Sequence, residues 1–161
     1  MAVKEHSLDI SAKLDMQEMK NAVIQAQKEI DMIFDRRARI FLAITALLMA
    51  SAIAFGAFGA HGLKKILTPE MLKVFHTGVE YQFYNTFGLF MATVLTMLRP
   101  YNKKLKVAQI LILIGTLIFS ISLYLLTILN LPIVGAITPI GGTLQIIAYV
   151  LLAYAILKDN Q

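Results

Sequence analysis

Apolar residues gather in four long blocks, at about residues 40–60, 78–98, 107–129 and 139–157, and polar stretches separate them. A helix needs roughly 20 apolar residues to cross about 30 Å of hydrocarbon. Each block therefore predicts a transmembrane helix. The pattern as a whole predicts an all-α polytopic membrane protein, with four spans in a bundle over residues 38–161.

Residues 1–37 follow a different pattern. HSLDIS at 6–11 alternates weakly, with Leu8 and Ile10 on one face, which suggests a short strand. Asp15 followed by Glu18 resembles a capping box and opens a predicted helix. Met16, Met19, Val23, Ala26, Ile30 and Ile33 then recur every three or four residues, forming one apolar seam on an amphipathic helix. Such a seam needs a partner surface: the membrane interface, another copy of the chain or another protein. The run SLDISAKLDMQEMKNAVIQAQKEIDMIFD, residues 7–35, resembles the opening strand and helix of the YajQ family. The resemblance implies kinship with small soluble bacterial proteins implicated in nucleotide or nucleic-acid binding. It covers only the first 35 or so residues, and one strand with one helix cannot bury a core. Nucleotide binding is therefore not carried over, and the segment is expected to be a cytoplasmic arm.

The apolar blocks carry punctuation that predicts their packing. Ala52, Gly56 and Ala60 place small residues four apart in the first block, with Gly59 beside them, and such lines let membrane helices approach closely. Gly115 in the third block, and Gly141 and Gly142 at the start of the fourth, are expected to do the same. Between the first two blocks, Gly62 can end a helix. Thr68 and Pro69 can start a short one lying along the interface, with Thr as N-cap. The second block opens with polar residues. His76, Glu80 and Tyr84 share one helix face, Lys73 extends it, and Thr77, Tyr81, Asn85 and Gly88 form the next stripe. Thr116, Ser120 and Tyr124, again four apart, give the third block a face able to donate hydrogen bonds to the second. Gln145 is the polar residue expected to be buried in the fourth block.

Composition agrees with a membrane setting: 58% of the residues are hydrophobic, mean hydropathy is +0.69, and a soluble domain is about 45–50% apolar. The net charge is +5, but the basic residues flank the apolar blocks, which fits topology better than nucleic-acid binding. Arg36, Arg37, Arg39, Arg99, Lys103, Lys104, Lys106 and Lys158 fall on one side, and Lys64, Lys65 and Lys73 on the other. The first side is expected to be cytoplasmic, with both termini inside a bacterial inner (plasma) membrane. The absence of cysteine excludes disulfides and thiolate chemistry.

Four separated motifs resemble a second family: GAFGAHGL (56–63), FHTGVEYQFYNTFGL (75–89), GTLIFSISLYLL (115–126) and ITPIGG (137–142). From about residue 37 to 157 the chain resembles the YgdD/YwdK family of bacterial inner-membrane proteins. That resemblance implies a four-helix membrane bundle with no established biochemical activity. The family usually has His after its Y-Q-x-Y run. This chain has Asn85, which keeps only the hydrogen bonding.

The candidate functional cluster is thus His61, His76, Glu80, Tyr81, Tyr84, Asn85, Ser120 and Tyr124. Glu80 is its central member. A charge deep in hydrocarbon costs about 2.5–3.5 kcal/mol on insertion scales, so Glu80 needs a partner, a proton or a position near a helix end. It can serve as a proton- or ligand-binding carboxylate, or as a structural lock between helices. His61, His76 and Glu80 include metal-ligand types but match no HExxH motif, and no metal, cofactor or catalytic residue is expected. The expected function is that of a non-enzymatic structural or partner-binding membrane protein. The alternative is a proton-linked or small-solute transporter or channel subunit using Glu80 in an oligomer. Expected partners are the lipid bilayer and a membrane protein or second copy, with no nucleic acid.

Overall fold

The computed structural model describes residues 2–158. Five α-helices follow one another: α1 (Ala2–Ile33), α2 (Arg36–His61), α3 (Pro69–Leu98), α4 (Lys103–Ile128) and α5 (Thr138–Leu157). Short 3-10 turns at Leu63–Lys65 and Pro132–Ile137 complete the order, and among the described residues there is no strand. The chain divides into two units, residues 1–36 and 37–161.

The first unit is α1. The strand expected over residues 6–11 is helix instead, and Asp15 lies inside α1 rather than at its start. The physical reason is backbone satisfaction. A lone strand leaves its N–H and C=O groups without a ladder, whereas a helix pairs them internally. The seam residues Met16, Met19, Val23, Ala26 and Ile30 are all exposed.

Among the described residues the second unit contains α2, α3, α4 and α5. Val79, Gln82, Thr86, Leu89, Thr93 and Thr96 of α3 are all buried and recur at alternating intervals of three and four. On α5, Gly141, Gln145, Ala148, Leu152 and Ala155 do the same. A seam with this 3.5-residue period is that of helices wound around one another in a left-handed sense. α4 lies between α3 and α5 and packs against both. Leu89 and Ala92, Leu105, Ala108 and Ile112, and Ala148, Leu152 and Ala155 form the main apolar core where these three helices meet. α2 contributes a narrower line, Ala38, Thr45, Ala52 and Gly59, spaced seven apart. Its buried face therefore runs through Gly59 rather than Ala60, which is exposed. Gly56 is half-buried near Val79, at ordinary contact distance.

The tightest approach joins α4 to α5. A Cβ on Gly115 would stand 3.0 Å from the Gly141 carbonyl, and one on Gly141 would collide with the Phe119 backbone. Backbone thus meets backbone, as small residues permit where no aqueous hydrophobic effect drives association. Gly142 is different, because a Cβ there would find Phe119 at a comfortable 3.7 Å.

Capping sets the helix ends. Thr68 accepts a hydrogen bond from Met71 N at 3.3 Å, with Pro69 in the first turn. The helix it opens does not stop after two turns along an interface, as the sequence pattern suggested. It continues to Leu98 as one piece, because Gly78 carries no helix stop signal once Phe75, Val79 and Tyr124 pack together there. Asn102 caps α4, accepting from Lys104 N at 3.0 Å and Leu105 N at 3.2 Å. Asn130, after α4, takes a positive φ of 51°, a conformation Asn tolerates just past a helix end.

Among the described residues, three helical segments are long and apolar enough to cross a membrane: Arg36–Lys65, Lys103–Ile128 and Pro132–Leu157. Four had been expected. α3 has the length, at 30 residues, but Glu80, Gln82, Asn85 and Thr86 in its middle lower its hydropathy.

The glycine contacts predict an asymmetric pair of substitutions. Gly141→Ala forces α4 and α5 apart and is expected to cost about 1–3 kcal/mol. Gly142→Ala is expected to be neutral or stabilising by up to about 1 kcal/mol through helix propensity. Unfolding of the purified protein in detergent measures both.

Candidate functional site

The bundle interior carries a row of polar side chains, and Gln82 is its hub. It stands on α3 two residues beyond Glu80, about 200° further round the helix. Burying one therefore turns the other outward. Gln82 is 4% exposed. Its Nε2 donates to Ser51 Oγ at 2.7 Å and to the Leu48 carbonyl at 2.8 Å, both on α2. Its Oε1 accepts from the Tyr124 hydroxyl of α4 at 2.8 Å. A single amide, with two donors and one acceptor oxygen, thus joins three helices. Tyr124 is placed by its ring, which lies 4.7 Å from Phe55 and 5.0 Å from Phe75 between centroids. Gly78 makes room for it, since a Cβ there would come within 2.9 Å of the ring.

One turn further along α3, Asn85 repeats the device toward α5. Its Nδ2 donates to the Tyr81 carbonyl at 2.8 Å, and its Oδ1 accepts from the Tyr149 hydroxyl at 3.0 Å. Gly88 clears the space for Tyr149, whose hydroxyl any Cβ at that position would overlap. At the far end of the bundle Gln109, 1% exposed, donates to Thr93 Oγ1 at 2.9 Å and accepts from Arg37 Nη2 at 3.3 Å. Arg37 also reaches the Lys106 carbonyl at 3.3 Å and lies over the Phe41 ring. Among the described residues, three buried polar atoms have no hydrogen-bond partner: Arg37 Nε, Ser120 Oγ and Gln145 Nε2.

The cluster expected from sequence is therefore divided. Asn85 and Tyr124 join the network. Ser120 is buried, but its hydroxyl is unpartnered. Tyr81 is partly exposed and stacks on Phe119, with centroids 4.7 Å apart, and Tyr84 stands edge-on to Tyr81 on the outside. Glu80 is exposed and makes no hydrogen bond or ion pair among the described residues. His76 is half-buried, edge-on to Phe75, and His61 is exposed at the end of α2. Among the described residues, no three His, Cys, Asp or Glu side chains gather closely enough to hold a metal ion.

Gln82, Gln109 and Arg37 were not singled out from the sequence as site residues. A signal for the first was present, because Gln82 falls on the three–four seam running from Val79 to Thr96. The reaction chemistry this interior can support is limited. Its side chains are neutral apart from Arg37 and largely bonded to one another. A groove of about 390 Å³ between α2 and α4 has Ser51, Gln82 and Tyr124 at its floor. Those groups already satisfy each other, so the groove presents an apolar surface.

Comparison with known proteins places this geometry. Residues 55–142, all within the second unit, match the family described as "Protein of unknown function (DUF423)". Residues 6–81 match the family described as "Nucleotide-binding protein YajQ-like". The chain is 37% identical over 120 residues to the UPF0382 membrane protein YwdK of Bacillus subtilis, covering 74% of this chain and 98% of that one. It is 42% identical over 120 residues to a UPF0382 membrane protein of Haemophilus influenzae, covering 74% and 95%. A UPF0382 membrane protein of Staphylococcus epidermidis is 37% identical over the same length, covering 74% and 97%. No solved structure matches the chain.

The network predicts which polar residue carries stability. Gln82→Leu leaves the Tyr124 hydroxyl buried without its acceptor and is expected to cost about 1–3 kcal/mol. Tyr124→Phe is expected to cost about 1 kcal/mol, and the double variant less than the sum, since the two share a bond. Glu80→Gln is expected to stay within about 0.5 kcal/mol of the parent. Unfolding of the four variants and the parent in one detergent measures all of these.

Proposed function

The chain belongs to the DUF423 family, with the bacterial UPF0382 membrane proteins as relatives, and from that premise we propose a four-span, non-enzymatic inner-membrane protein whose arm binds a partner protein. The observation that carries this reading is an interior whose polar groups are largely bonded to one another and, apart from Arg37, neutral. Gln82, Asn85 and Gln109 spend their polar groups holding helices together. The carboxylate able to move a proton, Glu80, lies outside.

The inside-out polarity of α3 supports its being the fourth span. Hydropathy counts residues that lipid would never meet. Gln82, Asn85, Thr86, Thr93 and Thr96 are buried against neighbouring helices, while Tyr84, Phe87, Phe90, Met91 and Leu98 face outward. From Glu80 to Leu98 the helix rises about 27 Å, close to the hydrocarbon thickness of about 30 Å. Glu80 then falls at the outer headgroup boundary, with Tyr81 and Tyr84 as its aromatic belt. A crossing α3 also gathers Arg36, Arg37, Arg39, Arg99 and, at the start of α4, Lys103, Lys104 and Lys106 on one side. The positive-inside rule makes that side cytoplasmic and puts both termini there.

The arm supplies the partner surface. Its seam is exposed, and residues 1–35 carry four lysines against seven carboxylates. Anionic lipid on the cytoplasmic leaflet repels such a segment, so the seam suits a protein better than the membrane. The unpaired, outward Glu80 favours a second reading, in which a further copy of the chain covers it and an oligomer conducts protons or a small solute.

Purification of the full chain from bacterial membranes in mild detergent tests the first reading. A defined protein is expected to accompany it and to be lost from a Met19→Glu, Val23→Glu variant. Recovery of the chain alone from both would refute partner binding through the arm. For the second reading, proteoliposome flux of the parent is compared with Glu80→Gln. Equal flux, or none from either, removes Glu80 from any transport role.

A further inference from the structure

We propose that the basic pocket where α3, α4 and α5 end together binds the phosphate-bearing headgroup of an anionic phospholipid. The pocket encloses about 520 Å³. Arg99 from the end of α3, Lys104 from the first turn of α4 and Lys158 from the end of α5 all line it, with Tyr101 and Asn102 from the intervening turn. No carboxylate lines it among the described residues.

Two observations show that these cations converge rather than merely share a surface. Lys104 Nζ lies 4.7 Å from the centre of the Tyr154 ring, which draws it toward α5. Tyr154 and Lys158 are four residues apart on that helix and so share a face. Lys104 is therefore drawn to the end of α5 that carries Lys158. The placement of Lys104 also works against helix stability. Lys103 and Lys104 occupy the first turn of α4, which has no acidic residue, and a cation there opposes the positive end of the helix dipole. An anion beside Lys104 relieves its opposition to the dipole of α4.

The walls select the kind of anion. Leu98 and Pro100 give the pocket an apolar side, and Leu98 and Leu157 are exposed at the adjoining helix ends. A free phosphate has no use for such a wall, whereas a phospholipid sets its headgroup among the cations and its acyl chains along the outer faces of α3 and α5. Basic pockets between membrane helices are suited to anionic headgroups in this way, each nearby Lys or Arg contributing about 1 kcal/mol. This goes beyond the proposed partner binding, and its failure would leave the arm's role untouched.

Native mass spectrometry of the full chain in non-ionic detergent tests the proposal with three probes. These are phosphatidylglycerol, phosphatidylcholine of the same acyl chains, and glycerol phosphate. Phosphatidylglycerol is expected to bind in preference to phosphatidylcholine, and the preference to shrink as salt is raised. The Lys104→Gln, Lys158→Gln variant should bind it about 10–30-fold more weakly. Lys104→Arg, Lys158→Arg should retain binding, and so should Lys64→Gln, Lys65→Gln at the opposite end of the bundle. Equal binding of the two lipids by the parent chain, or an unchanged affinity in the glutamine pair, would overturn the proposal. Competition by glycerol phosphate as effective as the lipid would overturn the lipid assignment in favour of a free phosphate ester. If the glutamine pair yields no folded protein, the salt-dependent lipid preference of the parent chain decides.

Discussion

A polar group inside a membrane bundle must find its partner within the protein, and that constraint organises this molecule. Gln82 meets it by bonding to α2 and α4 at once. Around that amide the other choices follow. Tyr124 must lie flat enough to reach it, which requires Gly78 beneath the ring and Phe55 and Phe75 beside it. Asn85 and Tyr149 apply the same logic toward α5, with Gly88 as the clearance. Gln109 and Thr93 apply it at the opposite end. The glycines of α3 are thus the spaces left for two tyrosines.

The same constraint explains why α3 looks least like a membrane helix and yet lies alongside α4 in the middle of the bundle's contacts. α4 and α5 are apolar on their outer and much of their inner surfaces, and small residues bring them together at Gly115 and Gly141. α3 instead holds its neighbours largely by hydrogen bonds and turns Tyr84, Phe87, Phe90 and Met91 outward. Two modes of association, backbone contact and side-chain hydrogen bonding, therefore coexist in one small bundle. Both suit an environment where burial of apolar surface gives helices little reason to associate.

Much of this was legible along the chain. The lengths of the apolar blocks located α2, α4 and α5, and Thr68 with Pro69 marked the start of α3. Asn85 and Tyr124 were singled out for hydrogen bonding and both take part in it. The short strand at residues 6–11 and the separate interfacial helix before residue 78 were not found. Both rested on local pattern alone, and a local pattern yields to the longer-range gain of an unbroken helix. The stripe of His76, Glu80 and Tyr84 was equally visible, but the pattern placed no weight on Gln82, one stripe away.

By itself, the sequence determined which stretches are helical and apolar enough to cross a membrane in α2, α4 and α5, and on which flanks the positive charge collects. These are properties of neighbouring residues, fixed by hydropathy, capping and spacing. Only the tertiary structure decided which face of α3 turns inward. Helical periodicity gives the angle between two side chains on one helix, but not the direction of either relative to the bundle. Both faces of α3 carry polar groups, so hydrophobicity could not choose between them. The choice was made by volume and by partners on other helices. Tyr124 and Tyr149 fit over Gly78 and Gly88, their hydroxyls reach Gln82 and Asn85, and Glu80 is turned outward as a consequence.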